Sequence, residues 1–317
     1  MSLNHRRVAF TIRLLLLAIV LPLAACKKSE TPEKPSISVF ASPDNAGNAL
    51  LAAERSGDQN ALLALFGPDS KQVIYSGDAV EDKNAADAFV ARYGVMHRWR
   101  KLPDDSLGLL VGADNFPFPI PLKKNNDGKW FFDTAAGREE VLNRRIGGNE
   151  LAIIEVCRAV ADAQGEYFSR PRDGEKTKQF AVKFLSDPGR QNGLYWKSAE
   201  GQPASPLGPL AANASAEGYR ANPEGSHTTF HGYNFRMLTG QTDKAPGGAK
   251  DYVVNGKMTG GFAFVAYPAE HGNSGVMTFM INQDGVLLQK DLGKNTTEIA
   301  AAMTRFDPDP GWTIVAQ

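Results

Sequence analysis

Apolar residues recur at helical spacing in two early stretches of the chain. Ala46, Ala49, Leu50 and Ala53 form one stripe, and Leu62, Leu65 and Phe66 form another, so two helices are predicted from Asn45 onward. Gly57-Asp58 separates them, with Asp58 placed as an N-cap, and Gly67-Pro68 stops the second. A short strand is predicted over 72–75, then a third helix opening near Asp82 that turns Ala86, Phe89, Val90 and Tyr93 inward. Three strands are predicted next, at 107–111, 118–122 and 129–133, with Asp127-Gly128 as the hairpin turn between the last two. A strongly amphipathic helix is predicted over 144–169, where Ile153, Val156, Cys157 and Val160 share one face. The fold class expected is α+β, with helices and a sheet over 44–142 and a long helix packed on an antiparallel sheet over 143–317.

The first residues have a different character. Arg6, Arg7 and Arg13 precede an apolar run from Leu14 to Leu23, about half the ~20 residues a membrane-spanning helix needs. A basic start, a short apolar middle and small residues before a cut describe a secretory signal over 1–25. The phrase Leu23-Ala24-Ala25-Cys26 resembles the lipobox of bacterial lipoproteins, in which the cysteine is acylated and becomes the first residue. That resemblance implies a lipid anchor at Cys26, with the membrane as a partner, in the bacterial cell envelope facing the periplasm. Residues 26–43 read as the lipidated end and a flexible tether, polar and rich in Ser, Thr, Glu and Pro through Ser36. An aspartate after the cysteine tends to retain such proteins in the inner membrane. Lys27 stands there instead, which leans toward the outer membrane.

Charge narrows the partners further. The formal net charge is zero, so nucleic acid is not expected as a partner. Envelope proteins or a small envelope ligand remain open. Past the anchor only Cys157 is left, so there is no disulfide framework, and its helix face marks it as a small buried hydrophobe. No cofactor and no metal site is expected.

Three resemblances add to this picture. The first-half helices with their Leu62-Leu63-Ala64-Leu65-Phe66 phrase, followed by strands and Asp127-Gly128-Lys129-Trp130, resemble the nuclear-transport-factor-2-like (SnoaL-like) cone. That implies a curved sheet around helices and a pocket that Trp99, Phe116, Phe118 and Trp130 could line, although aromatics on a half-buried sheet are more often core. Enzymes of that superfamily place Asp or His inside the cone, where His97 and Asp114 would be available. The second half resembles the heads of type IV pilins and pseudopilins. The phrases are Asn149-Glu150-Leu151-Ala152-Ile153 with Ala163-Gln164-Gly165-Glu166-Tyr167, then His231-Gly232-Tyr233-Asn234-Phe235, 262–268, and Gly275-Val276-Met277-Thr278-Phe279 with Asp284-Gly285-Val286. The apolar helix half that pilins use to polymerise is missing. Finally, Gly193-Leu194-Tyr195-Trp196, Ser205-Pro206-Leu207-Gly208-Pro209-Leu210 and 252–262 resemble a family of bacterial envelope proteins, domain of unknown function 2950. That name implies no activity.

Candidate chemistry is sparse. Ser205 precedes Pro206 and sits in no nucleophile elbow. His227 and His231 are four apart in a segment read as a strand, ~13 Å from each other and too far to share a metal. His271 is a loop residue without a companion. Lys257 follows an Asn255-Gly256 turn and is expected to point to solvent. Tyr195, Trp196, Tyr219, Tyr233 and Tyr252, with Asn192, Asn234 and Asn255, resemble a recognition surface in composition, though Tyr and Trp also face cores. A non-enzymatic binding or interaction module is therefore expected; the alternative is a hydrolase or isomerase using the interior of the cone.

Overall fold

The computed structural model describes residues 37–198, 201, 203–220 and 229–316. Cys26, residues 27–36 and His227 lie outside them. The first helices stand where the apolar stripes put them. α1 (Pro43–Ser56) is capped by Ser42, and α2 (Gln59–Phe66) by Asp58, whose Oδ1 accepts from Asn60 N at 2.9 Å and Ala61 N at 3.2 Å. Residues 72–75 are not a strand. A helical turn, α3 (Lys71–Ile74), continues a 3-10 turn that starts at Pro68, whose fixed φ suits a helical start. α4 (Ala79–Val95) begins earlier than expected because its cap is Asp78, while the carboxylate of Asp82 accepts from Ser76 N at 2.9 Å instead.

An antiparallel sheet follows. Its strands are β1 (His97–Lys101), β2 (Leu107–Val111), β3 (Phe116–Pro117), β4 (Leu122–Lys124) and β5 (Trp130–Phe132), in the order β1-β2-β4-β5 with β3 beside β2. The strand expected at 118–122 is interrupted. Pro117, Pro119 and Pro121 have no N–H to give a ladder, so pairing resumes only at Leu122. Helices and sheet close on a core of Leu50, Phe66, Tyr93, Leu109 and Phe132.

Of the aromatics expected to line a pocket, Trp99, Phe118 and Trp130 pack against that core. Phe118 sits 6.3 Å from Phe66, 5.5 Å from Phe89 and 6.1 Å from Phe132 between ring centroids. Phe116 stays outside, held between the guanidinium groups of Arg92 and Arg144 at 4.5 and 5.1 Å. His97 and Asp114 are exposed, so neither occupies an interior.

The amphipathic helix is longer than its apolar stripe predicts. α5 (Thr134–Phe168) starts ten residues before 144, capped by Asp133, and Gly137 lets it pass close to Ile120. The division at 142/143 therefore falls inside one helix, and the described residues belong to a single compact unit. Ile153, Val156, Cys157 and Val160 are all buried, as their spacing predicts. After α6 (Gly208–Glu217) come β6 (Tyr233–Leu238), β7 (Gly240–Gln241), β8 (Lys250–Asp251), β9 (Val253–Val254), β10 (Lys257–Met258), β11 (Ala263–Pro268), β12 (Met277–Asn282) and β13 (Leu288–Asp291). α7 (Thr296–Ala302), β14 (Arg305–Phe306) and β15 (Thr313–Ile314) close the chain.

The main second-half sheet is antiparallel in the order β15-β13-β12-β11-β6, and its fully buried Phe264 and Phe279 share a core with α5. The Asn149-Glu150 phrase joins helix to sheet. Asn149 Nδ2 donates to Ser274 O at 2.8 Å, and Glu150 Oε1 accepts from Val276 N and Met277 N, both at 2.9 Å. The architecture is α+β. Among the described residues no helix is long and apolar enough to cross a membrane.

Candidate functional site

The expected recognition surface is not one surface. Tyr233 and Tyr252 are fully buried; their hydroxyls donate to Met277 O and Gln241 Oε1, both at 2.9 Å. Both belong to the core, which corrects their reading as exposed anchors. Tyr195 and Trp196 are half-buried against that core, and Arg172 lies 5.3 Å from the Trp196 ring. Asn255 is exposed in a left-handed turn with Gly256, φ 50° and 76°, as the Asn-Gly pair predicts. Lys257 is paired with Glu175 at 2.6 Å. His271 does have a companion: its Nε2 lies 2.8 Å from Asp291 Oδ1.

The polar constellation that the fold assembles lies elsewhere, in the seam between the two hydrophobic cores. Its first cluster is built on the N-terminus of α4. Asp78 Oδ1 caps the helix through Val80 N and Glu81 N. Its Oδ2 reaches across the seam to accept from the Tyr219 hydroxyl at 2.9 Å and Gly232 N at 3.2 Å. One turn on, Glu81 Oε1 takes a second contact from the Tyr219 hydroxyl at 3.1 Å and lies 2.6 Å from His231 Nδ1. The other ring nitrogen, Nε2, lies 3.2 Å from Glu217 Oε2 at the end of α6.

The electrostatics follow from this geometry. Burial works against a charged His231, but the hydrogen bond and charge of Glu81, with Glu217 and Asp78, raise its pKa above the ordinary histidine value. The His231 hydrogen bond in turn holds Glu81 below the usual carboxylate range. Burial pushes the Tyr219 hydroxyl up, so it stays a donor.

Glu81, Glu217 and His231 offer ligand atoms within 4.8 Å of one another, a separation at which one ion could be shared. The carboxylates flank opposite ring nitrogens, however, and a cation is bound by only one. The arrangement suits a proton on each nitrogen better than a metal between them.

A second cluster lies on the other side of the α4 N-terminus. Arg145 of α5 donates to Val73 O at 2.7 Å, Gln72 O at 2.9 Å and Tyr75 O at 3.4 Å, and also to Asn273 Oδ1. It thereby satisfies the carbonyls at the end of α3. Asn273 Nδ2 continues to Ser76 O and Glu270 Oε2. Near it, burial first and the Asp82 charge second push Glu54 up to about 7. Because the unfolded carboxylate ionises earlier, stability falls as pH rises from about 4.5 to about 7, by on the order of 3 kcal/mol. Glu54→Gln is expected to remove that loss. It should unfold at higher urea than the natural chain above pH ~7 and match it near pH ~4.

An open depression of about 420 Å³ lies along α5, where Leu142 and Ile146 face Val276. The sequence phrases that looked family-specific turn out to be packing devices. A Cβ on Gly193 would stand 2.6 Å from the Leu185 carbonyl carbon, and one on Gly260 2.3 Å from Asp251 O. These close approaches lie within the described residues, which fall between 37 and 316. A family described as "Protein of unknown function (DUF2950)" matches residues 37–315, nearly all of that span. The chain belongs to the DUF2950 family.

Comparison with the curated proteins and with the solved structures finds no match. The likenesses to the nuclear-transport-factor-2-like cone and the pilin head therefore rest on sequence phrases alone. Sequence reading of this DUF2950 chain missed the seam because Glu217 and His231 lie more than a hundred residues from Asp78 and Glu81. The Asp-x-x-Glu phrase of 78–81 was the one local signal, as a helix cap with a second acid one turn on.

Proposed function

We propose that this DUF2950 chain is a lipid-anchored envelope protein whose body acts as a non-enzymatic binding module. The observation that carries the reading is Leu23-Ala24-Ala25-Cys26 followed by a polar stretch that ends where the compact unit begins. Ten extended residues reach about 33 Å, enough to hold a body clear of a bilayer surface.

The state of the reactive side chains favours binding over catalysis. Burial pushes the Cys157 thiol far above its ordinary value, so no thiolate forms near neutrality. Ser205 is buried, and its carbonyl closes a turn by accepting from Gly208 N. Lys257 is tied to Glu175, and the acid–imidazole cluster satisfies its own donors and acceptors. In the first half, where a hydrolase or isomerase pocket was the alternative, the rings of Phe66, Phe89, Phe118 and Phe132 pack on one another.

The test is fractionation of cells making the natural protein or Cys26→Ala, combined with crosslinking in intact cells. The natural protein is expected in the membrane fraction with a reproducible crosslinked envelope neighbour. Cys26→Ala is expected to be soluble and to lose that neighbour. Retention of Cys26→Ala in membranes overturns the anchor, and absence of any adduct on the anchored protein overturns the binding role.

A further inference from the structure

We propose that His231 is a pH-operated latch, whose doubly protonated ring ties α6 to α4 and whose loss of the Nε2 proton frees the α6 arm. The argument starts from the two contacts, Nδ1 to Glu81 Oε1 at 2.6 Å and Nε2 to Glu217 Oε2 at 3.2 Å. Only an imidazolium donates at both nitrogens, because the neutral ring carries a single N–H. The shorter contact keeps that hydrogen on Nδ1. A bare Nε2 lone pair then faces the Glu217 carboxylate, acceptor against acceptor, and an attraction becomes a repulsion.

The surroundings let this one proton matter. The charged groups facing the ring are Asp78 and Glu81 from α4 and Glu217 from α6, while the rings of Tyr219 and Phe230 cover it at 5.6 and 4.3 Å between centroids. The ring side chain is only 17% exposed, so bulk water does not readily take over its hydrogen bonds. α6 depends on such contacts. None of its residues is fully buried, and its N-terminus has no side-chain cap. Besides His231, its end is held by Asn84 Nδ2, which donates to Glu217 O at 3.0 Å, and by the Tyr219 hydroxyl on Asp78 two residues on, while Leu210 packs on the core.

The sign follows. The carboxylates hold the ring charged beyond the ordinary histidine range, so the latch is fully closed below that range and opens as pH rises through the raised value. The latch is thus closed below the ordinary histidine range and loosened above the raised value. It goes beyond the binding role and does not depend on the lipid anchor.

Hydrogen exchange of the α6 amides tests this on the full chain, from about pH 5.5 to about pH 9, corrected for the intrinsic pH dependence of exchange. Protection in α6 is expected to fall about tenfold across the range, the size that one hydrogen bond to a charged group gives, while α5 stays protected. Glu217→Gln is expected to flatten the curve. Its amide donates to the bare Nε2 or accepts from the protonated one, and the position is 42% exposed, so the fold is not at risk. Protection of α6 that tracks α5 at every pH overturns the latch. So does a fall that persists undiminished in Glu217→Gln.

Discussion

Replacing Arg145 with alanine is expected to cost about 3 kcal/mol and to split one unfolding transition into two. The guanidinium donates to three backbone carbonyls, of Gln72, Val73 and Tyr75, and to the Asn273 side chain. Alanine leaves those acceptors in the seam with no donor, and an acceptor left unmade costs more than its bond contributed. It also removes the tie between α3 and the loop after β11. The two hydrophobic clusters share no buried residue, so weakening the seam should separate their melting even though Asp78–Tyr219 and Glu81–His231 remain. Calorimetry decides the point. Arg145→Lys, a single point donor in place of a planar fork, should recover only part of the loss. A single transition with a loss under about 1 kcal/mol in Arg145→Ala would show that the seam is held by something else.

Gly260→Ala is expected to be as damaging, for a different reason. Its Cβ would stand 2.3 Å from Asp251 O and 3.2 Å from Tyr252 Cα, so the obstacle is backbone and no side chain can swing aside. Gly260 N donates to Tyr252 O at 3.0 Å, while the Tyr252 ring is fully buried with its hydroxyl on Gln241. Relieving the clash therefore drags a core tyrosine out of register, at a cost of about 3 kcal/mol. Gly165→Ala is the control. That glycine sits in α5 with no atom within 4 Å of an added Cβ, so alanine should stabilise by about 0.5–1 kcal/mol. Denaturant unfolding of the two variants should give opposite signs. Equal effects would mean that glycine content, rather than close approach, sets the response.

What the sequence discloses follows the range of the interaction. Asp58 reads correctly as a cap because a cap is settled within three residues, and the same holds for Asn255-Gly256. The Cys157 face reads correctly because four positions repeat at helical spacing within one helix. Residues 72–75 mislead because four residues carry no period, and their helicity depends on Pro68 before them and Arg145 far beyond. The start of α5 reads late because the cap that starts the helix, Asp133, falls at the end of a predicted strand. Tyr233 and Tyr252 misled because each stands beside a polar residue, Asn234 and Asp251, while its neighbours in space are core. The seam is wholly long-range, so no window along the chain contains it.

The polar character of that seam also bears on the order in which the chain is made. Synthesis runs from the N-terminus, so residues 37–133 can close their own core before 217–276 exist. The face that waits for them presents Asp78, Glu81 and backbone carbonyls, all of which water can serve in the interim. A hydrophobic joint would have left the early half with a sticky surface and a reason to aggregate. A joint of carboxylates, amides and one imidazole lets the nascent half wait in solution, and sets its final docking by which donors arrive.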